Sequence, residues 1–262
     1  MSLTLTRPLH GALLFHVLSH LDLGADAANL YDLRTRDVDA PWRAHLLDAW
    51  HRTPPPDRLM IHALAHWTQS VEALLTGLEA HRWSFTRTDA GGRLADLLLA
   101  ALLIELPEVE RLHDADVSTP RHQRFLTEGA PAVEACRRAL WGGTPPALMI
   151  MDCDALGLHG RGGALDPLGI RRGVAISLEA PLEHAVCQIV HEEIHPITDP
   201  QVPVTTHRST AKGDPGFAHH KALEAAAVSA GFELFDIHAP AFSEAYRRWC
   251  SRFGVQSAPT QT

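Results

Sequence analysis

The sequence predicts a predominantly helical α+β protein, and three observations support this fold class. Apolar residues recur at helical spacing through most of the first 143 residues. Two short apolar runs, at residues 147–153 and 174–178, have the length of buried strands. The 262-residue chain is 45% hydrophobic and 21% charged, as in ordinary globular proteins. We expect a helical region over 1–143 and a smaller α+β region over 144–262, which could also form one continuous domain.

The helices of the N-terminal half are predicted from the periodicity of apolar residues and from prolines and glycines that mark helix ends. Pro41 stands at a helix-opening position, and three prolines at 54–56 precede a long amphipathic segment. The pair Gly142–Gly143 ends the last helix of this half. The expected helices are 9–21, a segment directly after Pro41, 57–80, 93–106 and 123–141.

The second half mixes the two strands with further helices. The glycine-rich segment 156–173 is expected to be a loop or hairpin connection. It lacks both the GxGxxG order and a GK[ST] ending, so it does not predict a phosphate site. Helices are expected over 181–195, 215–230 and 240–249, with a frayed tail at 254–262.

Charge, hydropathy and cysteine spacing exclude several classes of function. The net charge is −8 and no lysine- or arginine-rich block occurs, which argues against a nucleic-acid partner. The longest apolar run, 95–106, contains Asp96 and Glu105 and is too short to cross a membrane. The N-terminus does not resemble a secretory signal. The four cysteines are scattered, which indicates free thiols and a cytoplasmic location.

The motif that predicts chemistry is HExxH, formed by His191, Glu192 and His195. Residues four apart lie on one face of a helix, so both imidazoles can reach one metal ion. Glu192 points beside that face, where it can exchange a proton with a metal-activated water. Glu193 is expected to face away or to support a neighbour. The sequence thus predicts one metal site with Glu192 as the proton-transfer group.

The chain contains 18 histidines, so accidental matches to a histidine motif must be considered. His16/His20 and His62/His66 have the same spacing, but in neither pair does glutamate directly follow the first histidine. We interpret both pairs as packed or surface histidines, because a metal site needs convergent acidic partners. His184 shares the face of His191 and is interpreted as a core histidine.

The HExxH motif and Glu224, which three alanines follow on the next predicted helix, resemble the gluzincin branch of the zincin metallopeptidases. The resemblance covers residues 170–235 and implies a small zincin-like α+β metal-binding unit after the helical half. It also implies His191, His195 and Glu224 as metal ligands, and Glu192 as general base. Asp199 stands where such enzymes place a carboxylate that orients a ligand histidine.

Two departures from the family pattern concern residues of this region. Pro196 directly follows the second histidine and should bend or end the helix. Val228 lies where an acidic residue often follows the glutamate ligand, and the N-terminal half matches no peptidase family.

The third ligand and the groups that contact a transition state stay open at this point. His220 is four residues before Glu224, so the site could be His–His–Glu or His–His–His with Glu224 in support. His219 is the other histidine beside it. Residues that could steady an oxyanion all follow the motif: His207, His219, His220, His238 and Tyr246.

Three functions fit these residues. The first is a zinc hydrolase that cleaves a peptide or amide bond in a peptide or protein substrate, with strand 174–178 pairing with the peptide. The second is a non-haem Fe²⁺ enzyme that oxidises a peptide with a 2-oxoacid cosubstrate. The third is a non-catalytic helical protein with a structural metal, which the lack of cysteine in the motif disfavours. Arginines available to anchor a 2-oxoacid are Arg161, Arg171, Arg172 and Arg208.

Overall fold

A computed structural model describes residues 3–21, 23, 40–156, 161–165, 172–203 and 216–252. The protein is a predominantly helical α+β protein, which confirms the predicted fold class. The helices in these ranges are α1 (Leu9–Ser19), α2 (Arg43–Arg52), α3 (Pro55–Trp67), α4 (Val71–Glu79), α5 (Asp89–Leu112), α6 (Pro120–Arg124), α7 (Ala130–Leu140), α8 (Leu182–Thr198), α9 (Gly216–His238) and α10 (Ser243–Arg252).

The strands form one four-stranded sheet. They are β1 (Leu3–Thr6), β2 (Leu148–Asp152), β3 (Arg161–Leu165) and β4 (Arg172–Ile176), in the order β1-β2-β4-β3. Strand β3 pairs antiparallel with β4, with Leu165 opposite Arg172. It lies in the glycine-rich segment that was expected to be a connection, and β1 was not predicted.

The position of β4 overturns one expectation. Its neighbours are β2 on one side and β3 on the other. The backbone groups of an interior strand are already paired on both sides, whereas strand addition needs a free edge. The strand predicted at 174–178 therefore cannot pair with a substrate peptide.

The chain divides into two compact units. The N-terminal unit comprises Leu5–Val117 and Met149–Ser177, and the C-terminal unit comprises Met1–Thr4, Ser118–Leu148 and Leu178–Thr262. This division differs from the predicted regions 1–143 and 144–262. Met151 and Ala175, from the strand segment, belong to the same apolar core as the N-terminal helices. The helices after residue 118 instead belong with α8.

In the N-terminal unit, the helix predicted over 57–80 is two helices, α3 and α4. The hydroxyl of Thr68 donates to the carbonyl of Leu64 at 2.8 Å directly after α3 ends. The hydroxyl of Ser70 accepts from the amide of Ala73 at 3.0 Å and caps the start of α4. Two hydroxyl side chains thus satisfy backbone groups that a continuous helix would have bonded internally.

In the C-terminal unit, α8 packs against α7, α9 and α10. Its apolar residues Val186, Ile189 and Val190 are fully buried. The helix predicted over 123–141 is α6 and α7 joined by a π turn at Phe125–Gly129. Helix α8 continues through Pro196 to Thr198, where the hydroxyl of Thr198 bonds the carbonyl of Ile194. Pro196 has no N–H for the carbonyl four residues earlier, so the last turn of α8 lacks one helical hydrogen bond and the helix ends two residues later.

Two further expectations concern membranes and thiols. Among the described residues, no helix has the length and hydropathy needed to cross a bilayer.

Cys136, Cys153, Cys187 and Cys250 are all buried and free. Burial raises the pKa of the Cys136 thiol to about 12, so this side chain is an inert thiol at neutral pH. The tail at 254–262, which was expected to fray, lies outside the described residues.

Candidate metal centre

The two motif histidines lie together on one face of α8. His191 and His195 are both buried, and their Nε2 atoms are 3.2 Å apart. The rings meet edge to face, with centroids 4.8 Å apart and planes at 87°. The helical spacing of four residues therefore produces the convergence that the motif predicted.

Helix α9 brings Glu224 to this pair. Its Oε2 is 3.1 Å from Nε2 of His191, and its Oε1 is 3.6 Å from Nε2 of His195. The side chain of Glu224 is 16% exposed and that of His195 is 10% exposed, so solvent reaches only a small part of each side chain. His191, His195 and Glu224 are one of the groups in the described part of the chain that could hold a metal ion.

The spacing of these donor atoms fits a small divalent cation. Ligand atoms at about 2.0–2.1 Å from a tetrahedral zinc ion are about 3.3 Å apart. Nε2 of His191 lies 3.2 Å from Nε2 of His195 and 3.1 Å from Oε2 of Glu224, both near that value, and the other oxygen of Glu224 is 3.6 Å from Nε2 of His195. A ring nitrogen carries either one hydrogen or one lone pair. Nε2 of His191 therefore cannot fully satisfy both His195 and Glu224 by hydrogen bonding, whereas a cation can accept all three lone pairs.

The opposite nitrogen of each histidine is held by a second group. Oδ1 of Asp199 is 2.8 Å from Nδ1 of His195, and the hydroxyl of Tyr246 is 3.0 Å from Nδ1 of His191. A hydrogen bond at Nδ1 fixes the ring orientation and leaves the Nε2 lone pair for a metal. Asp199 thus lies within hydrogen-bonding distance of the ring that it would orient.

Tyr246 is fixed in a closely packed pocket between α9 and α10. A Cβ atom on Gly231 would lie 2.2 Å from the Tyr246 hydroxyl, so only glycine allows this approach. The tyrosine ring stacks on Phe235 at 4.5 Å, and the neighbouring Trp249 ring is 4.9 Å from His191. Burial raises the pKa of Tyr246 well above its ordinary value, which keeps the phenol neutral. The sequence suggested this tyrosine as an oxyanion contact, but its position makes it a support for His191.

Charges around the group favour an ionised carboxylate beside imidazole. Burial alone would raise the pKa of Glu224, but the hydrogen bond from His191 and the charges of His191, His195 and His220 hold it well below its ordinary value. Burial alone would lower the pKa of His195, but the Asp199 hydrogen bond and the carboxylates of Glu192 and Glu224 raise it. The site therefore has a concentrated negative potential that suits a cation.

The two adjacent glutamates of the motif have different surroundings. Glu193 is completely buried and receives a hydrogen bond from Nε of Arg137 on α7 at 2.7 Å. Successive helical residues point about 100° apart, so Glu192 lies away from this ion pair. Glu192 is partly exposed, and its charge acts on His195. Glu193 supports the helix, as expected, while the Glu192 carboxylate is close enough to His195 for its charge to act on that imidazole.

The remaining predicted residues lie at varied distances from the group. Nδ1 of His220 is 3.7 Å from Oε1 of Glu224, so His220 borders the site. His219 is buried but does not belong to the candidate metal group formed by described residues. His238 is exposed at the end of α9, and His184 accepts a hydrogen bond from Trp249 at 3.2 Å, as a core histidine does. His207 and the side chains of Arg161, Arg171, Arg172 and Arg208 lie outside the described residues.

Comparison of the chain with known protein families, with curated proteins and with solved structures finds no match.

Proposed function

We propose that the protein is a zinc-dependent hydrolase that cleaves a peptide or amide bond, with Glu192 as the general base. The observation that carries this proposal is the convergence of His191, His195 and Glu224, with donor distances of 3.1–3.6 Å. Two imidazoles and one carboxylate are the ligand set of hydrolytic zinc sites, which keep a position for water and substrate. The resemblance to the gluzincins supplies the substrate class.

Each residue has a distinct task in this proposal. His191, His195 and Glu224 would hold the zinc ion, while Tyr246 and Asp199 keep the two rings aimed at it. A bound zinc ion would supply Lewis acidity toward the substrate carbonyl and a lower pKa for the attacking water.

Glu192 would perform the proton transfers. It would accept a proton from the attacking water as the new carbon–oxygen bond forms. It would then deliver that proton to the amine nitrogen as the carbon–nitrogen bond breaks. Its partial exposure beside the buried histidines is compatible with access to both partners. Arg137 keeps the adjacent Glu193 out of this role.

The same donor set also occurs in non-haem iron oxygenases. The arginines that would anchor a 2-oxoacid have no described side chains, so no observation favours this function. A cytoplasmic location is part of the proposal, since four free, buried cysteines suit a reducing compartment.

The test compares wild type, Glu192→Gln and Glu183→Gln on a peptide library, with cleavage detected by mass spectrometry. Glu183 is an exposed glutamate in the first turn of the same helix, so its variant is a matched control. We expect zinc-dependent cleavage by wild type and by the control. We expect Glu192→Gln to keep its zinc and to lose about 10²–10⁴-fold in rate.

Two outcomes would contradict the proposal. Full activity of Glu192→Gln would remove this carboxylate from the mechanism. Peptide oxidation by wild type with Fe²⁺ and a 2-oxoacid, without any hydrolysis under zinc, would favour the oxygenase.

A further inference from the structure

The N-terminal unit contains a second group with the same kinds of donor atom. His16 and His20 lie four residues apart on α1, and their Nε2 atoms are 3.1 Å apart. Oε2 of Glu105, on α5, is 3.2 Å from Nε2 of His16. The rings meet edge to face, with centroids 4.5 Å apart and planes at 84°. The sequence analysis set this pair aside because no glutamate follows His16, but the carboxylate comes from a distant helix.

The spacing in this group meets the same criterion as that of the candidate centre on α8. The distances from Nε2 of His16, 3.1 Å to His20 and 3.2 Å to Glu105, are close to the separation of about 3.3 Å between ligands of a tetrahedral zinc ion. The ligand atoms of all three residues lie within 4.8 Å of one another. Nε2 of His16 approaches both His20 and Glu105, although it carries one hydrogen or one lone pair. Hydrogen bonds cannot fully satisfy both contacts, but a cation can.

Glu105 is held by a donor from another helix. Nε1 of Trp42 donates to its Oε1 at 2.8 Å, which leaves Oε2 directed at His16. The Trp42 ring also contacts His20 edge to face, with centroids 5.8 Å apart. A carboxylate whose second oxygen is fixed by a neutral donor is a common feature of metal ligands.

The group is enclosed on one side and accessible on the other. His20 is 1% exposed, whereas the side chains of His16 and Glu105 are 21% and 15% exposed. His16 borders a cleft of about 110 Å³. The charged and polar residues that line this cleft are Arg7, His16, His113, Asp114, Asp152 and Asp154. Of the three ligand candidates, His16 lines this cleft. The carboxylates of Asp152 and Asp154 in the cleft are paired with Arg7.

We propose that His16, His20 and Glu105 form a second site for a divalent metal ion such as zinc, with the cleft beside His16 as its entrance. The site lies wholly in the N-terminal unit and shares no residue with the candidate centre on α8. It goes beyond the proposed function and does not depend on it. Two imidazoles and one carboxylate leave a fourth coordination position for water.

The test is the zinc stoichiometry of the full chain. Metal-free protein is titrated with zinc against a chromogenic chelator, with wild type, Glu105→Gln, His16→Gln, His195→Gln and Glu110→Gln compared. Glutamine keeps the shape of Glu105 and an oxygen for Trp42, so the fold should survive, as circular dichroism will show. Glu110 is an exposed glutamate on the same helix and serves as the matched control.

We expect two zinc equivalents for wild type and for Glu110→Gln. One equivalent should remain in Glu105→Gln, in His16→Gln and in His195→Gln. The lost site should weaken by more than ~100-fold, because loss of a mere supporting residue already costs ~10–100-fold. Cobalt(II) titration should show two sets of absorption bands in wild type and one in each single-site variant.

The outcomes separate this inference from the proposed function. A single equivalent that His195→Gln abolishes and Glu105→Gln leaves intact would overturn the second site. Two equivalents in both Glu105→Gln and His16→Gln would also overturn it. A single equivalent lost in Glu105→Gln but kept in His195→Gln would support the second site and contradict zinc binding on α8. Zinc binding by neither site would overturn both.

Discussion

The ion pair between Arg137 and Glu193 is fully buried, so its loss should strongly lower stability. Both side chains are 0% exposed, and Nε of Arg137 lies 2.7 Å from Oε2 of Glu193. The same guanidinium donates to the carbonyl of Pro146 and lies 3.5 Å from Glu134. The pair therefore connects α7 to the HExxH helix inside the C-terminal unit.

The expected effect of Arg137→Ala follows from this burial. The substitution removes the cation and leaves the Glu193 carboxylate enclosed without its charge partner. Breaking a buried pair in this way costs about 3–5 kcal/mol, a large part of the about 5–15 kcal/mol by which proteins are stable. A loss of 1 kcal/mol lowers Tm by about 2–4 °C for chains near this size. We expect Tm to fall by about 6–20 °C.

The assay is thermal unfolding followed by circular dichroism, with two controls. Arg138→Ala removes the exposed neighbouring arginine, whose Nε bonds a backbone carbonyl at 3.3 Å, and should change the unfolding free energy by under about 1 kcal/mol. The double variant Arg137→Met/Glu193→Leu should recover much of the loss, because an apolar pair removes both buried charges. If Arg137→Ala is no less stable than Arg138→Ala, the reasoning is refuted.

Two further predictions concern the support of His191. Tyr246→Phe keeps the aromatic ring between Phe235 and Trp249 but removes the hydroxyl at Nδ1 of His191. Zinc affinity in a competition titration should therefore fall ~10–100-fold. Unchanged affinity would show that the hydroxyl does not orient the His191 imidazole. Gly231→Ala places a Cβ atom 2.2 Å from that hydroxyl, so both Tm and zinc affinity should fall. Ser229→Ala on the same helix should change neither, and equal behaviour of the two variants would contradict the packing argument.

Local sequence signals predicted the α8 part of the site, because its geometry is set by one helix. The four-residue spacing of His191 and His195 fixes their convergence whatever surrounds the helix. Asp199 is also four residues from its partner and follows from the same periodicity. The prediction of Glu224 depended on the family resemblance, because its contact with His191 spans 33 positions of the sequence.

The contacts that the sequence did not predict are non-local. Tyr246 and His191 are 55 positions apart, and Arg137 and Glu193 are 56 apart. No periodicity connects such residues, so only the packing of α7, α9 and α10 around α8 brings them together. The division into two units was not predicted either, because it also depends on contacts between distant positions of the sequence. Strands β2 and β4 follow α6 and α7 in the chain, yet their residues Met151 and Ala175 are buried in the same core as helices from much earlier in the chain.

The two candidate metal groups share donor geometry but differ in the residue that follows the first histidine. After His191 comes Glu192, a partly exposed carboxylate whose charge acts on the site. After His16 comes Val17, which is fully buried and has no group that can carry a proton. A general base must lie within hydrogen-bond reach of the proton it removes. Helix α1 offers no base at that position, so a metal bound at His16 and His20 is expected to have a binding role. Proton-transfer chemistry is therefore expected on α8, and Glu192 is the residue on which that distinction rests.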